Sequence, residues 1–360
     1  MLNFTVGPVM SPQEILEVAS VSTPYFRTEE FSKVMFENEA MFLTFLHAPE
    51  NARCVFLTSS GTGAMEACVI NVLNEFDKVI CINGGFFGQR FVELCRLHRY
   101  EYTEIKCEFG KPLDMSLLEA LGGKEYTALL VNMHETSSGI RYDMNAIADF
   151  CKNNEIVLIV DAISSFIADS IDMERLGADV ILTGSQKALA LQPGIAIVAL
   201  SNRAIDRVKN NREKSLYFSF KEALKNMERG QTPYTPAVTI LLQLHKRLFA
   251  MKEAGGILAE QKKIHELAEY FRNHLVDLPL DFLVEHDKDR SNAVTALKSH
   301  HHKAEEIFER LKKEYSIWIC PNGGKYKDDI FRVGHIGCLK KRDYDLLLDA
   351  LREINAKGYM

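Results

Sequence analysis

The sequence predicts an α/β protein: a large unit built on a mostly parallel, seven-stranded sheet, followed by a smaller C-terminal α+β unit. Three observations carry this expectation. Between residues 53 and 200 seven short β-type apolar runs occur, most of them separated by amphipathic stretches of helical period. The last two runs are too close together for a helical crossover. Beyond residue 236 the pattern changes to long amphipathic helices. A chain of 360 residues also exceeds what one hydrophobic core usually supports.

In order, RCVFLTSS reads as the first strand and GTGAMEACVINVL as its helix. KVICIN, the helical FFGQRFVELCRLHR, YTEIKC, the helical DMSLLEALG, ALLVNMHE, the helical YDMNAIADFCKNN and IVLIVDA continue the alternation. DVILTGSQK and GIAIVALS complete the seven, and their short connection predicts one antiparallel member. The helix GILAEQKKIHELAEYFRNHLVDL begins at the pair Gly255 and Gly256. We therefore divide the chain into an N-terminal segment, 1–15, packing near the candidate site, a large unit, 16–254, and a small unit, 255–360. NAVTAL, IWIC and IFRVGHIG are the small unit's strands, with helices KAEEIFERLKKEY and KRDYDLLLDALREINAKG.

The chain is 47% hydrophobic and 26% charged, with no apolar run long enough for a membrane span and no basic, apolar leader at MLNFTVGPVMSPQE. A cytoplasmic location is expected. A net charge of −6 argues against a nucleic-acid surface and leaves small molecules as the expected partners. The eight cysteines contain no C-x-x-C pair and read as reduced core residues. SHHHK, residues 299–303, reads as a solvated helix cap, because adjacent histidines do not converge on one ion. No metal site is expected.

Open α/β sheets gather ligands at the carboxyl ends of their strands. In SSGTGAME a small-residue turn opens a helix, so Ser60, Gly61 and Thr62 offer amides and a dipole to a phosphate. An N-cap without ligand is the plainer alternative, and the third glycine of a dinucleotide fingerprint is missing. Asp161 ends the apolar run VDA, where a carboxylate needs a partner. Lys187 directly follows the next strand, where a desolvated amine can attack an aldehyde. A surface lysine and a structural ion pair are the plainer readings of these two taken singly. Together the three match what pyridoxal-phosphate chemistry needs: a lysine Schiff base, a carboxylate that keeps the pyridine nitrogen protonated, and a phosphate anchor.

Lys187 in GSQKAL, Asp161 in VDA and the SGT turn resemble the class V aminotransferases of the type I pyridoxal-phosphate-dependent transferase fold. Within the class the chain is similar to the alanine–glyoxylate, serine–pyruvate and 2-aminoethylphosphonate–pyruvate transaminases. The likeness runs from FTVGP, residues 4–8, to FRVGHIG, residues 331–337. It implies pyridoxal 5′-phosphate as cofactor, with Lys187 and Asp161 catalytic. Phe87 of NGGFFGQR falls where the family stacks an aromatic on the pyridine ring, and Ile163 where the other face is covered. Thr136 of HETSSG matches a hydroxyl near the cofactor's 3-oxygen, and Gln186 a phosphate-side ligand. TPYTP matches a loop that completes the phosphate site of a neighbouring subunit, which implies a homodimer with Thr235 and Thr232 reaching the partner's cofactor. Arg332 matches the arginine that grips the substrate carboxylate.

Three features depart from the family pattern. Phe87 replaces the tryptophan or histidine of some relatives, and Thr232 a tyrosine; a common Ser-His-Arg segment is here Tyr25, Phe26 and Arg27. Phe26 is accordingly expected to shape the substrate pocket. The resulting expectation is a transaminase moving an amino group from a small donor of alanine, serine or 2-aminoethylphosphonate type to pyruvate or glyoxylate. A lyase of cysteine desulfurase type on the same fold is the alternative, disfavoured by Phe87 and by the position of Cys338. A regulator that merely binds the cofactor would need a DNA-binding domain, for which the first 50 or so residues give no pattern.

Overall fold

The computed structural model describes all 360 residues. Its centre is a seven-stranded sheet of β1 (Arg53–Thr58), β2 (Lys78–Asn83), β3 (Glu101–Lys106), β4 (Ala128–Asn132), β5 (Val157–Asp161), β6 (Val180–Gly184) and β7 (Ile195–Leu200), in the order β1-β7-β6-β5-β4-β2-β3. Every neighbouring pair is parallel except those of β7, which runs antiparallel to both β1 and β6. The expected single antiparallel strand is thus β7. Residues of β4, β5, β6 and β7 are buried throughout, because helices cover both faces of the sheet.

The two faces carry separate apolar clusters of 57 and 30 buried residues. Helix Gly61–Val72 lies in the smaller cluster and buries nine of its twelve residues, which is why its sequence is apolar nearly all round. Helices Glu29–Phe45 and Val238–Glu253 pack together on the other face. Thr28 caps the first by accepting a hydrogen bond from the Phe31 amide.

A third cluster, of 22 buried residues, belongs mainly to the C-terminal part. There β8 (Leu280–Phe282), β9 (Val294–Ser299), β10 (Cys320–Pro321) and β11 (Ile330–Gly334) form an antiparallel sheet in the order β8-β9-β11-β10. Helices Gly256–Asn273, Ala304–Tyr315 and Lys341–Ala356 cover it. The N-terminal Leu2–Asn3 pairs in parallel with Ile317–Trp318, so the chain starts in this part and then crosses to the large sheet.

No helix is long and apolar enough to cross a membrane. All eight cysteines are free, and five of them are buried. His300 pairs with Asp281 and His302 with Asp329, each on its own carboxylate.

Candidate active site

The carboxyl ends of β1, β5 and β6 and the loop after β4 converge on a cavity of about 100 Å³ lined by Ser60, Gly61, Thr62, Phe87, Thr136, Asp161, Ile163, Gln186 and Lys187, together with Arg90, His134 and Ser164. Larger clefts of about 570 and 350 Å³ lie elsewhere, but neither contains a lysine beside a helix N-terminus and a buried carboxylate. Chemistry rather than volume selects the smaller one.

Lys187 follows β6, and its Nζ donates a hydrogen bond to the Val6 carbonyl at 2.7 Å. Burial lowers its pKa to about 8, with Arg332 and Arg90 acting in the same direction and Asp161 against them. A substantial share of the amine is therefore neutral, and nucleophilic, near pH 8. The close pass of the N-terminal strand requires Gly7: a β-carbon there would fall 2.6 Å from Lys187 Cδ.

Asp161 ends β5 and is buried. Its Oδ1 accepts from the Ile163 amide at 2.7 Å and its Oδ2 from Asn132 Nδ2. Burial raises its pKa to about 6 in spite of those donors, and no cation of the chain pairs with it. A buried carboxylate without a cation is the partner that a protonated ring nitrogen would satisfy. Ser60 caps helix Gly61–Val72, leaving the Gly61 and Thr62 amides, the first of the helix, aimed at the cavity without intrahelical acceptors. A β-carbon at Gly61 would meet Ile163 Cδ1 at 2.4 Å and push that side chain aside. Lysine, carboxylate, amide cradle and the Phe87 ring together fit pyridoxal phosphate.

Phe87 begins helix Gly88–Leu97, whose cap comes from another element. Glu135 is buried and accepts from the Phe87 amide at 3.1 Å, the Gly88 amide at 2.8 Å and Ser137 Oγ at 2.5 Å. Arg90 lies over the Phe87 ring, 4.6 Å from its centroid, and donates to Thr62 Oγ1 at 2.8 Å. Glu135, Arg90, His134, Ser164 and Asn132 were not singled out in the sequence. His134 and Glu135 immediately precede Thr136 in HETSSG, a segment that the family resemblance marked for Thr136 alone.

Arg332 on β11 is buried; its Nη1 donates to the Thr136 carbonyl at 3.0 Å and its Nη2 to the Pro321 carbonyl at 2.8 Å, while Nε has no partner. Phe26 packs in the large core against Phe31, beneath the Arg27 guanidinium, and does not line the cavity. Thr232 is buried and donates to the Tyr234 carbonyl, whereas Thr235 is exposed; neither lines the chain's own cavity. Arg27 holds their loop through the Thr232 and Pro233 carbonyls, at 2.9 and 3.1 Å.

A mixed α/β sheet with a half-buried lysine, a buried carboxylate and a helix N-terminus at one strand-end cavity suits carbonyl–amine chemistry. The profile described as Aminotransferase class-V matches residues 14–325, and the chain belongs to that family of aminotransferases. It is 32% identical over 344 residues to the soluble hydrogenase 42 kDa subunit of Anabaena cylindrica, covering 94% of this chain and 88% of that one. It is 26% identical to the L-aspartate–glyoxylate aminotransferase of Paracoccus denitrificans, over 93% of this chain and 86% of the relative. The crystal structure of alanine–glyoxylate aminotransferase from Nostoc sp. superposes with a TM-score of 0.92 at 23% identity, covering 98% of this chain and 95% of that one. The fold is that of the type I pyridoxal-phosphate enzymes.

Proposed function

We propose that this aminotransferase uses pyridoxal 5′-phosphate to move an amino group from a small donor, of alanine, serine or 2-aminoethylphosphonate type, to glyoxylate or pyruvate. The observation that carries the choice of a small acid is Arg332. Arg332 stands outside the residues that line the cavity, but the Thr136 and Pro321 carbonyls fix its guanidinium plane and leave Nε unpaired, so a carboxylate is the complementary ligand. The glyoxylate named for the Paracoccus and Nostoc relatives supports the acceptor.

When bound, the cofactor supplies an aldehyde that joins amines and a ring that accepts electrons from a bond broken at the substrate's α-carbon. Ser60, Gly61, Thr62 and Gln186 would hold its phosphate, Phe87 and Ile163 would cover its ring, and Thr136 would hydrogen-bond its ring oxygen. Asp161 would keep the ring nitrogen protonated. Lys187 Nζ would be the amine that binds the aldehyde and the base that moves the substrate's α-proton.

The same reading makes the protein a cytoplasmic homodimer, with 16–254 as the cofactor-binding unit and 255–360 as the smaller lobe. The loop held by Arg27 then presents Thr232 and Thr235 to the partner's phosphate, and Phe26 supports the pocket from behind. The test is a visible spectrum of the purified protein with pyridoxal phosphate, titrated with alanine, serine and 2-aminoethylphosphonate. A donor that bleaches the band, and glyoxylate or pyruvate that restores it, supports the reading; no band, or a band unaffected by Lys187→Ala, rejects it.

One observation favours the lyase of cysteine desulfurase type as a second reading. Cys320, on β10, is half-buried and close enough to Lys187 to influence its charge. Sulfide release from cysteine separates the two.

A further inference from the structure

A buried chain of polar groups leads away from Thr136 and has no part in the reaction described above. His134 lines the cavity; its Nε2 is 3.3 Å from Thr136 Oγ1, and its Nδ1 is 2.7 Å from Ser291 Oγ. Ser291 Oγ donates to Asp169 Oδ2 at 2.9 Å and accepts from the Ala293 amide at 3.0 Å. All of these side chains are buried.

Hydroxyl protons settle the tautomer. Ser291 has one proton and spends it on the carboxylate, so the short contact to His134 requires Nδ1 to donate. Nε2 therefore faces Thr136 with a lone pair when the ring is neutral and with a proton when it is charged. Thr136 also has one proton, and Ser164 Oγ, 2.9 Å away, competes for it. A neutral His134 draws that proton to itself and presents Thr136 to the cavity as an acceptor. A charged His134 donates to Thr136 and frees the hydroxyl proton for an oxygen in the cavity.

We propose that His134, held by Ser291 and Asp169, is a positioning residue that sets the direction of the Thr136 hydroxyl and so controls a hydrogen bond to the cofactor's ring oxygen. The inference rests on the pyridoxal-phosphate reading. Aligning a base through a serine and a buried aspartate is the general way of fixing which nitrogen faces the chemistry. The charged groups around the imidazole are Glu135 on its own strand, Asp161 and Asp169 from β5 and the loop after it, Arg141 3.9 Å from Asp169, Arg272 from helix Gly256–Asn273, which donates to the Ser291 carbonyl, and Lys187 across the cavity. Asp169 is kept below the usual carboxylate range: burial acts to raise it, but His134, the Asn292 amide and Arg141 outweigh that.

The test is a pH titration of the visible band of the full chain loaded with pyridoxal phosphate. A donor on the ring oxygen competes with the proton shared between that oxygen and Lys187 Nζ, so removing the donor lets the site keep this proton to higher pH. His134→Asn retains a donor to Ser291 at the Nδ1 position but takes away the proton that a charged His134 donates to Thr136, which leaves Ser164, rather than the ring oxygen, to accept the Thr136 hydroxyl. It is expected to raise the titration midpoint by about one pH unit, a tenfold change in proton affinity. Thr136→Val is expected to raise it similarly, and the double variant no further than either alone. Ser291→Ala, which frees the tautomer without touching the cavity, is expected to move it in the same direction. An unmoved midpoint in His134→Asn or in Thr136→Val, or additive shifts in the double variant, overturns the assignment alone. A wild-type protein without a visible band overturns it together with the cofactor reading.

Discussion

Gly7 and Lys187 pack together although they lie far apart in the chain: a β-carbon on Gly7 would lie 2.6 Å from Lys187 Cδ, and Val6 beside it accepts the hydrogen bond from Nζ at 2.7 Å. Gly7 also has φ +127°, a conformation other residues rarely adopt. Gly7→Ala is expected to cost about 1–3 kcal/mol of stability and to displace Nζ. Denaturant unfolding measures the first effect, and slowed capture of pyridoxal phosphate the second.

The lowered pKa of Lys187 makes cofactor capture pH-dependent. Only the neutral amine attacks an aldehyde, so each pH unit below about 8 reduces the reactive fraction about tenfold. The capture rate should rise with pH up to about 8 and then level off. A rate still rising towards 10.5, the ordinary lysine value, would show that burial does not depress the amine.

Asp161→Asn keeps the shape of the side chain and its contact with the Ile163 amide but removes the charge that, on the proposed reading, would face the cofactor's ring nitrogen. Turnover is expected to fall by roughly 10²- to 10³-fold, while borohydride still traps the cofactor on Lys187. Loss of trapping would make Asp161 a structural residue instead.

Glu135→Ala leaves the amides of Phe87 and Gly88 and the Ser137 hydroxyl without their acceptor. The expected cost is about 1–2 kcal/mol, read from unfolding midpoints. Glu135→Gln, which keeps an acceptor oxygen, should cost less.

Arg332→Lys removes the planar fork while keeping the charge. The KM for glyoxylate or pyruvate is expected to rise roughly ten- to a hundredfold, with kcat changed less. An equal loss in both parameters would move Arg332 from binding the acid to the chemical step.

Much of the fold was legible because burial on both faces of a parallel sheet leaves continuous apolar runs, as in VLIVD of β5 and IAIVAL of β7. The strand-end rule pointed at Ser60, Asp161 and Lys187 for the same topological reason, whereas Thr136 came from the family resemblance. Glu135 escaped that reasoning because its partners, Phe87 and Gly88, lie 48 and 47 residues away, and no local pattern marks a cap supplied by another element. Ser291 and Asp169 escaped it too, since they lie 157 and 35 residues from His134 in the chain.

By itself the sequence determined the alternation of strands and helices, the short turn that makes β7 antiparallel, and the residue types at each strand end, because all of these are set by local periodicity and turn length. Tertiary structure alone decided which of those residues share a cavity, how far burial lowers Lys187 and raises Asp161, what a side chain at Gly7 or Gly61 would displace, and which nitrogen of His134 faces Thr136. Those properties depend on distances between groups far apart in the chain and on the water excluded between them, and neither quantity is written in any single segment.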